Sequence, residues 1–174
     1  MIRHRSLVAP LVVAGMLATT SEAFAQRAFL FIQNIQGEST VEAFPQWIQV
    51  LSIRQSASTT ARKAIACDVA IVKPIDVAGP ALWATAASGQ TVPEMIIAVL
   101  KNAIPAGGSG GEVIVKQYEI KLTNVRITSV QATAGASDSS ETVALLPQSV
   151  TLSYFTQSPT GGPGPTVVQP FSCQ

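Results

Sequence analysis

The sequence predicts a mainly β protein, a compact antiparallel β-barrel or sandwich with one short α-helix packed on its side. Three observations carry that expectation. Only one stretch, Lys73 to Gly89 (KPIDVAGPALWATAASG), signals a helix. Elsewhere, apolar or alternating runs of strand length recur at roughly 8–15-residue spacing. Polar, Ser-rich or Gly-rich segments separate those runs, as hairpin tips do. Together they give about seven or eight strands and one helix.

The chain begins with a segment that does not belong to this pattern. Arg3 and Arg5 form a positive region, Leu7 to Leu17 an apolar one, and Ala23-Phe24-Ala25 an A-x-A site. That is the layout of a secretory signal, with cleavage expected between Ala25 and Gln26. The apolar run is too short for a permanent membrane anchor. The mature chain is therefore expected to be secreted, periplasmic or extracellular, with no membrane association after cleavage. Residues 1–25 are read as the signal, 26–157 as the β domain and 158–174 as a Gly/Pro-rich tail.

Each element then follows from local chemistry. Arg27–Ile35 is a continuous apolar run, as in a strand buried on both faces. Gly37-Glu38-Ser39 breaks it, and Thr40–Gln46 is an irregular loop ended by Pro45. Trp47–Gln55 resumes as a strand whose imperfect alternation predicts a bulge near Leu51. Ser56–Lys63 reads as a loop or hairpin tip. Ala64–Lys73 alternates through Ile65, Cys67, Val69 and Ile71 and delivers the chain to the helix.

The helix is expected over Pro80–Ser88, with Gly79 as N-cap and Gly89 as the left-handed stop. Leu82 and Trp83 are its two large apolar anchors. Thr91–Lys101 is the next strand, with Pro93 tolerable only near its start. Ala106–Gly111 is a flexible tip. Residues 112–130 alternate most clearly, with Asn124 marking a bulge or short turn between two halves. Gln131–Glu141 is read as a polar tip and Thr142–Gln157 as the last long strand. In the tail, prolines and glycines from Pro159 to Pro165 argue against regular structure, leaving Thr166–Phe171 at most a short edge strand.

Composition narrows the function. Eleven Lys+Arg less Arg3 and Arg5 leave nine, and ten Asp+Glu less Glu22 leave nine, so the mature chain has no net charge. Neither nucleic acid nor an anionic membrane has a basic cluster to bind. A weakly charged surface favours self-association. The single histidine, His4, leaves with the signal, which removes the usual triads and His-ligated metal sites. Nine carboxylates, among them Asp68, Asp76, Glu119 and Glu141, are scattered singly and read as solvated strand or turn residues. Lys73 reads as a surface charge. Trp47, Trp83, Tyr118 and Tyr154 read as packing or interface residues in preference to a sugar-stacking platform. No catalytic residue, metal ligand or cofactor is expected, and the protein is not read as an enzyme.

Two cysteines remain, Cys67 and Cys173. In an oxidising compartment a bridge within the chain is the first reading. Its loop would contribute about 4–5 kcal/mol in the chain-entropy model. A bridge between subunits and two free thiols are the alternatives.

Several segments resemble, in order and spacing, the Hcp family, the tube proteins of bacterial type VI secretion systems. They are Gly37-Glu38-Ser39, WIQVLSI (Trp47–Ile53), VAIVKPIDVAGPALWATAASGQTV (Val69–Val92), YEIKLTNVRITSV (Tyr118–Val130) and ETVALLPQSVTLSYF (Glu141–Phe155). The resemblance covers nearly the whole mature chain, here in an exported variant. It implies a small β-barrel with one lateral helix, without enzymatic activity. Six copies would form a ring, and rings would stack into a hollow tube able to carry secreted effector proteins. It also implies that Thr40, Val41, Glu42, Ala43, Phe44, Pro45 and Gln46 form the loop that reaches toward the adjacent ring. The alternative of another class is a monomeric secreted β-barrel module that binds a glycan or a surface protein.

Overall fold

The computed structural model describes residues 27–59, 65–103, 113–135, 139–158 and 162–173. The expected cleavage site at Ala25 and Gln26 lies outside these residues, as does the segment 106–111 that the sequence reads as a flexible tip. Among the described residues nine strands and one helix appear in the order β1 (Arg27–Ile32), β2 (Ile48–Val50), β3 (Ser52–Thr59), β4 (Ile65–Pro74), α1 (Gly79–Ser88), β5 (Thr91–Ala103), β6 (Val113–Ala134), β7 (Ser139–Leu146), β8 (Ser149–Gln157) and β9 (Pro163–Ser172). The described pairs are antiparallel and run β2-β1-β5-β6-β7-β4-β3. The sheet is not closed by a continuous ladder. Its path nevertheless begins and ends in consecutive strands, β2 and β3, separated only by Leu51. Leu51 N donates to Val72 O of β4 at 2.7 Å, which draws the two ends together.

The expected bulge at Leu51 is thus a division. Ile48–Val50 pairs with β1 and Ser52–Thr59 with β4, so one run of sequence serves both ends of the path. Alternation is imperfect there because the two halves lie on different partners. Ser56 to Thr59, read as loop, continues β3; its backbone ladder to β4 overrides the polar side chains, nearly all of which face solvent.

β6 is one strand of 22 residues, where the sequence suggests two halves. Asn124 does mark a junction, with φ 49, a left-handed conformation that Asn tolerates. Before it, Tyr118–Thr123 pairs with β8; after it, Arg126–Ala134 pairs with β7. The expected single strand over Thr142–Gln157 accordingly splits at Pro147 and Gln148. Gln148 ties the split, since its N–H donates to Thr123 O at 3.0 Å and its side-chain oxygen accepts from Asn124 Nδ2 at 2.8 Å.

The largest correction is the tail. β9 runs along β8 for its whole length, from Gln157↔Pro163 to Ser149↔Ser172. Proline is acceptable there because β9 is an edge strand with one unpaired side.

Inward-facing residues from β1, β2 and β4 to β8 form one core that includes Leu30, Ile48, Ile71, Met95, Ile97, Leu122 and Val143, with Ile53 of β3 and Phe171 of β9 packed against it. The helix joins it through Leu82, which is fully buried, while Trp83 stays 46% exposed. Ala78 takes the N-cap position and Pro80 the first turn. Gly89 ends the helix with φ 65, as its sequence predicts.

Candidate functional site

Three places carry specialised side chains, and each holds an element of the fold in a defined position. The first is the segment between β1 and β2. β1 sends Ala28, Leu30 and Ile32 into the core and Phe29 and Phe31 to the opposite side. The Gly37–Trp47 segment folds back over that side as a hydrogen-bonded hairpin. Gly37 N donates to Gln46 O at 2.7 Å, Ser39 N to Trp47 O at 3.1 Å and Gln46 N to Ser39 O at 2.9 Å. Phe44 stacks on Phe29 with ring centroids 5.4 Å apart and meets Trp47 edge-on at 5.0 Å. Trp47 in turn lies 5.3 Å from Phe31.

Gly37 makes this approach feasible. A Cβ there would stand 2.5 Å from Trp47 O and 2.6 Å from Ile48 Cα, inside any tolerable contact. Of the residues expected to reach a neighbouring ring, Thr40, Glu42, Ala43, Pro45 and Gln46 are exposed, whereas Val41 and Phe44 are half-buried. The tip is presented to solvent on an anchored base.

The second place was not legible in the sequence. Lys73, read as a surface charge, is 0% exposed. Its ammonium lies 2.5 Å from Glu141 Oε2 and 2.7 Å from Asp76 Oδ1, both carboxylates being nearly buried. Glu141 uses its other oxygen to accept the Trp83 indole N–H at 3.2 Å. Asp76 Oδ1 also accepts the Ala78 N–H at 3.0 Å, at the helix entrance. Gly79 is the counterpart of Gly37, because a Cβ would meet Glu141 Oε1 at 2.8 Å. The end of β4, the start of α1 and the start of β7 therefore meet on one ionic cluster. A buried lysine needs such partners, since desolvating an unpaired ammonium costs several kcal/mol. The Lys73-Pro-Ile-Asp76 spacing could have suggested the first pair; Glu141 lies 68 residues from Lys73 and leaves no local signal.

The third place is the tail. Cys67 of β4 and Cys173 just beyond β9 are joined in a disulfide, with Cα atoms 5.6 Å apart. Both are buried, and Cys173 N donates to Gln148 O at 2.8 Å. Among β9 side chains Phe171 packs on the core, and most others are exposed.

None of these places is built for chemistry on a substrate. Lys73, Asp76 and Glu141 saturate one another, and among the described residues no three His, Cys, Asp or Glu side chains gather as metal ligands do. Among the same residues no helix is long and apolar enough to cross a membrane. What the fold and its sites define is a structural β subunit, with its specialised side chains spent on holding a hairpin, a helix and a tail.

Residues 29–156 match the family model described as "Type VI secretion system effector, Hcp". The chain belongs to the Hcp family, a family of structural tube proteins and not of enzymes. Solved structures agree. The crystal structure of Hcp1 from Salmonella typhimurium is 25% identical, covers 85% of this chain and 94% of its own, and superposes with a TM-score of 0.68. A type six secretion system protein, 23% identical, covers 86% of this chain and 96% of its own at a TM-score of 0.69. A type VI secretion system effector from Yersinia pestis, 20% identical, covers 83% and 98% at 0.66. The last two carry the fold alone. No curated protein matches the sequence.

Proposed function

We propose that this protein is an exported, self-assembling subunit of the tube type, which forms hexameric rings able to stack into hollow tubes or fibres in the periplasm or outside the cell. The observation that carries the reading is the family match across residues 29–156. The Hcp-like fold over 85% of the chain supports it. Stacking is favoured by a mature subunit with no net charge, since repeated addition accumulates no repulsion. The anchored hairpin supports a role for residues 40–46 between rings: the aromatic base holds the tip rigid, so little ordering entropy is lost on contact. The bond between Cys67 and Cys173 suits a chain that matures in an oxidising compartment. Effector proteins held in the lumen are the cargo this architecture would carry.

Negative-stain microscopy and light scattering on the mature chain, purified with its thiols undisturbed, test the proposal. Rings, tubes or filaments are expected. A monomer at every concentration would overturn assembly. Non-reducing electrophoresis tests the export arm: an intrachain bridge in secreted material is expected, and a reduced chain confined to the cytoplasm would overturn it.

A further inference from the structure

Strands β1, β3, β5, β6 and β8 line a cleft that the assembly reading does not use. It measures about 410 Å³, within the range of small-ligand sites. Ala28, Val99 and Ile120 form its apolar floor. Gln55 Nε2 donates to Tyr118 Oη at 3.1 Å, which links β3 to β6 along the cleft. Among the described residues no Asp, Glu, Lys or Arg lines it, so these offer nothing to bind phosphate, carboxylate or a metal ion by charge.

A backbone irregularity shapes the rim. Val99 of β5 pairs with Tyr118 and Leu100 with Lys116, so Gln117 is an extra residue in β6. Adjacent strand residues ordinarily point to opposite faces, yet Gln117 and Tyr118 both line the cleft. A bulge re-aims side chains in this way, and bulges concentrate beside functional sites. Tyr118 is the register partner of Tyr154 on β8, which puts both side chains on the same face of the sheet, and both line the cleft. Tyr154 is 42% exposed.

Two aromatic side chains on one face, amides that both donate and accept, an apolar floor and no charge among the described lining residues complement one ligand chemistry. A pyranose presents apolar C–H faces to rings and hydroxyl edges to amides. We propose that this cleft binds an uncharged pyranose unit of a polysaccharide, independently of assembly. Tyr118 and Tyr154, which the sequence alone assigns to packing, are then its stacking platform. Gln55 and Gln117 read the hydroxyls.

Amide chemical shifts of the oxidised mature chain, titrated with maltotetraose and separately with chitotetraose, test this. The two probes separate a plain glucan from an N-acetylhexosamine polymer. At least one should move the amides around Gln55, Gln117, Tyr118 and Tyr154. Tyr154→Ala and Gln117→Ala should each weaken binding about tenfold. Tyr154→Phe keeps the ring and should retain most of the affinity, with all three variants melting near the parent chain. No shift with either sugar would overturn the proposal. So would binding indifferent to all three substitutions, or shifts that follow protein concentration without sugar, which would assign the cleft to contact between copies. Microscopy of the same samples reports assembly separately.

Discussion

The junction around Lys73 and the tail strand β9 are held in place by opposite means. At the junction, Lys73 and Glu141 are buried, the Asp76 carboxylate is nearly so, and their charged atoms have partners within 3.2 Å. Along β9 almost every side chain is exposed, and the strand is held by its ladder to β8 and one covalent bond. The junction depends on every member of a side-chain network, because removing one leaves buried polar partners short of a bond. The tail depends on topology and on the redox state of its surroundings. Sequence variation along the outer face of β9 should therefore be cheap, whereas the junction admits little.

The largest effect should come from severing the tail's tether. Cys173→Ser should lower unfolding stability by about 4–5 kcal/mol, the loop-entropy figure for a bridge across about a hundred residues. Urea denaturation checks it, and added reductant should reproduce the loss in the parent chain only. Hydrogen exchange sharpens the comparison: β9 amides should lose protection first. If they stay protected, the ladder alone holds the tail.

Next comes the junction. Glu141→Ala should cost about 3–5 kcal/mol by leaving the buried Lys73 ammonium with Asp76 alone and the Trp83 indole N–H without its acceptor, measured by the same denaturation. Reductant should not change that increment. A cost below about 1 kcal/mol, the scale of an exposed ion pair, would mean that water reaches the cluster and that the contrast with the tail is false.

Smaller effects belong to the hairpin and to the outer tail. Gly37→Ala forces a Cβ into the Trp47–Ile48 backbone and should cost about 1–3 kcal/mol, read as a lowered melting temperature. Phe44→Ala removes two ring contacts and should cost about 1–2 kcal/mol. It should also impair ring stacking under the microscope by loosening residues 40–46. Val167→Thr, at a position 61% exposed on β9, should stay within about 0.5 kcal/mol of the parent chain.

How much of this was legible varies with the range of the interaction. Gly89 as helix stop, Leu82 as the buried anchor and the alternation of β4 follow from residues within one turn or one strand, and all are found. Leu51 and Asn124 both read as irregular from the sequence, which does not carry their meaning. Each is a point where a strand changes partner, and a partner is not written beside it in the chain. Proline content led the tail to be read as mostly irregular, although an edge strand leaves the missing N–H unpunished. Lys73 misled most, since a lone lysine before a proline gives no local hint of burial.

The sequence by itself determined the mainly β class, the single helix and its C-terminal stop, the apolar set of the core and the Hcp resemblance. These rest on periodicity, backbone preference and motif order, which act over a few residues at a time. Tertiary structure alone decided that Glu141 neutralises Lys73, that Phe44 and Trp47 lie over β1, that Gln117 joins Tyr118 at a cleft, and that β9 completes the sheet. In each case the deciding energy is the desolvation of a charge, the burial of a ring or the pairing of a strand. Its value depends on atoms that only folding brings within a few ångströms.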